Sequence, residues 1–144
     1  MRIGFGQVLG FAVTASLLAG CGQKKVTECN AMIRVINDGV NSLQKGTKSA
    51  TDENGVADLK ALADAMDKVA GDSAKVELTI PELKKYNTDY QAMAKDVAKT
   101  AREMAAAAEA KDVAKITTAQ AAMDKAVKQE DPLVDGINKF CQAP

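Results

Sequence analysis

The sequence predicts an all-α, up-down-up-down four-helix bundle with a long hairpin of helices three and four and a last helix kinked or broken near Pro132. Three observations predict it. Apolar residues recur every three or four positions in four successive segments, short polar or glycine-containing connections separate those segments, and an even number of antiparallel helices returns the end carrying Cys141 to the start carrying Cys29. A length of 144 residues suits one small domain.

Cys29, Ile33, Ile36, Val40 and Leu43 form one stripe, which predicts a first helix from about Glu28 to Lys45. Thr27 is placed to cap its start and Gly46 its end. Gly39 costs a helix about 1 kcal/mol relative to Ala and marks a close approach of another helix. Asn37-Asp38-Gly39 reads alternatively as a turn, against the stripe that continues through it.

A polar connection, Gly46 to Asn54, leads to a second stripe of Val56, Leu59, Ala63, Met66 and Ala70 that ends at Gly71. From Asp72 to Thr79 the rhythm changes: Val76, Leu78 and Ile80 alternate, as in an extended loop packed on the bundle. Thr79 and Glu82 have capping-box spacing, and Pro81 falls in the first turn of the third helix. That helix carries Leu83, Tyr86, Tyr90, Met93, Val97, Ala101, Met104 and Ala108 on one face.

Asp112 is the expected cap of the fourth helix, whose stripe uses Val113, Ile116, Ala119, Met123 and Val127 and then Leu133, Ile137 and Phe140. Pro132 interrupts it, so a break is expected near Glu130 and Asp131, with Asp131 capping the final segment.

Ahead of the helices, Arg2 precedes an apolar run from Ile3 to Leu18 and then the small residues Ala19 and Gly20. The run has the length of an export signal and falls short of the roughly 20 residues of a membrane-spanning helix. Leu18-Ala19-Gly20-Cys21 resembles the lipobox of bacterial lipoproteins, a likeness confined to this region. The resemblance implies removal of residues 1–20, a diacylglyceryl group on Cys21 and acylation of the new amine, commonly with palmitate. Residues 21–27 would form a lipidated N-terminus and short tether, and residues 28–144 a single helical domain. Two or three acyl chains hold durably where one holds marginally. Gly22 in place of Asp fits the sorting pattern for the outer membrane in Gram-negative cells, on its periplasmic or surface face. A Gram-positive owner would carry the same anchor on its one membrane.

With Cys21 lipidated, Cys29 and Cys141 remain as a pair in a compartment where disulfides persist. A bridge would join the first and last helices; two buried thiols are the alternative, and two Cys without His make a poor zinc site.

Absence of His removes the imidazole base, the Ser-His and Cys-His pairs and His-ligated metal or haem. Formal charge is zero, with 19 basic and 19 acidic residues interspersed, which argues against nucleic acid as a partner. Met32, Met66, Met93, Met104 and Met123 offer soft sulfur to copper(I), but their positions on or beside the stripes read as core, and no cofactor or metal is expected. Tyr86 and Tyr90 read as core rings with wet hydroxyls, with stacking on a ligand as the alternative. Asp64 with Asp67, and Glu130 with Asp131, lack any acid-base or EF-hand pattern and read as solvated faces; Asp64 is expected to pair with Lys68. Lys24 and Lys25 suit anionic headgroups or simple solubility.

Helices of roughly 17 residues are about 26 Å long, against about 44 Å for roughly 29 residues. The third and fourth helices are therefore expected to overhang at their joining tip, where Met104, Ala108, Val113 and Ile116 form a partner or self-association surface unless the neighbouring loops cover it. The expected function is a non-catalytic, lipid-anchored protein of the bacterial envelope that acts through protein contacts. The alternative is a binding module with a small apolar or metal ligand in the bundle.

Overall fold

The computed structural model describes the backbone of residues 19–47 and 55–143 and the side chains of residues 22–41 and 55–143. Helix α1 spans Ala19–Thr47, α2 Gly55–Ala74, α3 Pro81–Glu109, α4 Val113–Val127 and α5 Glu130–Gln142. The last two are one bent helix, so the predicted up-down four-helix bundle and its break beside Pro132 both stand. Helix α2 packs on α1 and most extensively on α3, α3 carries α4, and α5 returns to touch α3 and α1. The signal region before residue 19, and most of the Gly46 to Asn54 connection, lie outside the described residues.

Alanine sets the spacing between the central helices. Ala63 and Ala70 of α2 and Ala94, Ala98 and Ala101 of α3 are almost wholly buried, and their small side chains let the two backbones approach. Met32, Leu83, Met93 and Ile137 are the largest wholly buried hydrophobic side chains around them. Met32, only flanking the predicted first stripe, is 1% exposed. Gly39 makes the expected close approach: a Cβ there would stand 2.7 Å from Cγ2 of Val69 on α2. Gly136 does the same for α5, where a Cβ would meet the Tyr86 ring at 2.8 Å.

Four local expectations change. Helix α1 is already formed at Ala19, ahead of the expected start at about Glu28, so the short tether of residues 21–27 is helical. Lys25 docks this turn on the end of α5: its Nζ donates to the Ala143 carbonyl at 2.7 Å and lies 4.7 Å from the Phe140 ring centroid. Thr27 consequently caps nothing; its hydroxyl donates to the Gln23 carbonyl within the helix, at 2.9 Å. The Thr79–Glu82 capping box is absent too, since Ile80 is the N-cap residue of α3 and has no side-chain cap bond. Asp131 lies in the first turn of α5 behind an N-cap at Gln129, and Pro132 beside it occupies a turn where no helical hydrogen bond is lost.

Other details stand as predicted. Asp112 caps α4 by accepting the Lys115 N–H at 3.1 Å. Val76 and Ile80 are half-buried and Leu78 is buried, so the alternating segment does turn its apolar residues inward. The tight α3–α4 turn is made by Lys111 in the left-handed region, at φ 54°.

Candidate functional site

One end of the bundle is heavily secured. Cys29 and Cys141 are joined as a disulfide, with Cα atoms 5.8 Å apart, tying α1 to α5. Beside them Glu28 is buried and its carboxylate accepts the backbone N–H groups of Thr79 at 2.9 Å and Ile80 at 3.0 Å, and the Thr79 hydroxyl. Burial of the carboxylate pulls its pKa upward, but these three donors and the charge of Lys24 prevail and hold it below the ordinary value. The backbone leading into α3, Thr79 and the N-cap residue Ile80, is therefore held by a residue of α1, a long-range contact that local spacing does not encode.

The opposite tip differs from the overhang expected. Lys60 of α2 pairs with Glu109 at 2.6 Å, and Arg102 reaches Asp64 at 2.9 Å and Asp67 at 2.7 Å. Helix α2 thus flanks α3 out to its last residue, and the surplus length of α3 lies at the disulfide end, where Ser73 near the end of α2 is hydrogen-bonded to Asn87. Asp64 and Asp67 hold Arg102, while Lys68 goes to Asp72 rather than to Asp64. The loop at residues 75–80 is at the disulfide end and so does not cover the tip.

Of the proposed surface residues, Val113 is 74% exposed, while Met104, Ala108 and Ile116 are half-buried. A shallow groove of about 410 Å³ does lie between α3 and α4 here, but Ala106, Ala107, Ala110, Thr118 and Ala119 line it and the four proposed residues do not. Cys21 stands in the first turn of α1, its side chain outside the described residues.

A mainly apolar, partly open cavity of about 200 Å³ lies inside the bundle. Helix α4 packs chiefly on α3, so among the described residues the seam between α1 and α4 is only lightly packed. Gly39 and Val40 of α1, Leu62, Met66 and Val69 of α2, and Tyr90, Met93 and Val97 of α3 form three walls. Met123 and Val127 of α4 with Glu130 of α5 form the fourth. Val127 is 46% exposed and Glu130 half-exposed, which puts the mouth at the break between α4 and α5. Pro132 positions that mouth, because the break it imposes is what brings Glu130 to the cavity.

No family model, curated protein or solved structure matches the chain.

Chemistry is accordingly read from the side chains alone. Three thioethers, from Met66, Met93 and Met123, share the cavity, and the Tyr90 ring is buried against it. Tyr86 instead packs on Phe140, with ring centroids 6.4 Å apart. Sequence reading found these methionines and tyrosines as stripe residues, but their convergence depends on the lightly packed seam between α1 and α4. Among the described residues no group of three His, Cys, Asp or Glu is placed to hold a metal ion, and no helix is long and apolar enough to cross a membrane.

Proposed function

We propose that this chain is a non-catalytic binding module of the bacterial envelope, anchored by lipid on Cys21, whose bundle holds a small and mainly apolar ligand. The cavity among the five helices carries this reading: it is concave, almost wholly apolar and lined from α1, α2, α3, α4 and α5, with two polar side chains, the usual make-up of a small-molecule site. Its volume of about 200 Å³ limits the occupant to about one ring or a short branched chain. The lipobox-like run before Cys21 supports the anchor and the envelope location, with the outer membrane favoured by Gly22.

Thermal denaturation of the full chain with and without toluene tests the ligand reading. A ligand that binds only the folded state raises the midpoint in proportion to its saturation. A rise is expected for the wild-type chain and its loss for Met93→Trp, which fills the cavity; an unchanged midpoint at saturating toluene rejects the reading. The anchor is tested separately by intact mass and by Cys21→Ser, which is expected to shift the protein from the membrane to the soluble fraction.

A second reading is favoured by the exposure of Val113 and the groove beside it. There the tip of α3 and α4 would dock on another protein or a second copy. Photo-crosslinkers at Val113 and Ala106 are then expected to give discrete adducts in cells, with none at Lys84 on the opposite end.

A further inference from the structure

Among the described residues lining the cavity, only Tyr90 and Glu130 carry side-chain oxygen. They are close enough to interact: burial first, and then the negative charge of Glu130, push the Tyr90 phenol up to about 12. Neither group has a hydrogen bond or ion pair to another described residue. A phenol and a carboxylate thus both line one apolar chamber, and no described cation is paired with either.

The Glu130 side of the chamber discriminates by charge. An anionic ligand is repelled by Glu130, and a neutral one gains no charge interaction from it. An ammonium donates to the carboxylate, accompanies the phenol oxygen and is attracted to the Tyr90 ring. The remaining wall discriminates by shape and softness, since the sulfurs of Met66, Met93 and Met123 pack favourably on aromatic rings and adapt to their outline. An apolar cavity of about 150 Å³ suffices for benzene, and this one, at about 200 Å³, adds room for a short arm.

We propose that the cavity takes a compact arylalkylamine, with one aromatic ring among Met66, Met93 and Met123 and one ammonium beside Glu130 and Tyr90. The assignment rests on the small-ligand reading above and names the class of that ligand.

The test is methyl NMR on the full chain in lipid nanodiscs, with ¹³C-methyl methionine and three probes: benzylamine, benzyl alcohol and toluene. Benzylamine is expected to move the signals of Met66, Met93 and Met123 while leaving Met32, and to bind about tenfold tighter than benzyl alcohol. Glu130→Gln keeps the side-chain shape on a partly exposed turn and is expected to erase that preference without weakening toluene. Equal affinities for benzylamine and benzyl alcohol, or a preference that survives Glu130→Gln, overturn the ammonium assignment and leave the small-ligand reading standing. Failure of all three probes to move the three methyl signals overturns both.

Discussion

Glu28 and Thr79, on opposite sides of the disulfide-bonded end, are joined by two hydrogen bonds from the backbone and the hydroxyl of Thr79 to one buried carboxylate. A residue of the first helix thereby fixes the chain where it enters the third helix. Three donors converge on this carboxylate once Ile80 is included, so the charged form is favoured in the folded chain.

Acid is therefore expected to loosen this end. The folded pKa of Glu28 lies below its ordinary value of 4.5. The stability it contributes is then full above that value and is lost as pH falls through the lowered one. Glu28→Gln is expected to lower the thermal midpoint at pH 7 and to have a much smaller effect at pH 2. Melting curves of both proteins at the two pH values check this, and equal offsets would refute it.

Reduction of the Cys29–Cys141 bridge is expected to destabilise the bundle. The closed loop spans a separation of 112 residues, and a loop of that order contributes up to about 4.7 kcal/mol through the unfolded chain. Denaturant titration with and without reductant measures the loss. A midpoint that does not move would mean that the helix packing alone holds the first and last helices together.

Two glycines should respond in opposite directions. At Gly39 an added Cβ meets the stiff side chain of Val69 at 2.7 Å, whereas at Gly71 it meets nothing within 4 Å. Gly71→Ala is expected to stabilise by about 1 kcal/mol through helix propensity. Gly39→Ala is expected to destabilise by about 1 kcal/mol or more, because overpacking outweighs the same gain. Chemical denaturation of the two variants reads the difference.

Lys111 is the sole described non-glycine residue at positive φ. Its left-handed conformation is costly for a residue with a Cβ and free of that penalty for glycine, so Lys111→Gly is expected to stabilise by about 1 kcal/mol. The same denaturation experiment applies, with no change in binding at the cavity.

The heptad-like stripes made the helices legible because each buries a continuous face, and the break at Pro132 followed from a missing N–H. The pairing of Cys29 with Cys141 was legible from the cysteine count together with the expected export of the chain. Ends of helices were harder. Thr79 has the spacing of a cap, yet its hydroxyl is claimed by Glu28, 51 positions away. Thr27 failed as a start signal: α1 already runs through it, with Lys25 docked on Phe140 and Ala143. The cavity was least legible of all: Met66, Met93, Met123 and Tyr90 each look like core in sequence, and only the lightly packed seam between α1 and α4 turns them into a lining. Helix lengths misled at the tip, where the surplus of α3 projects towards the disulfide rather than away from it.

The helical course of residues 22–27 also governs attitude. An extended stretch from Cys21 to Thr27 would reach roughly 20 Å and swivel freely, but six helical steps rise only about 9 Å and are continuous with α1. Under the proposed lipid anchor the bundle would ride the bilayer as on a short rigid mast. The tilt of α1 would then set the direction in which the cavity mouth faces, and a glycine pair placed at residues 24 and 25 would let it spin.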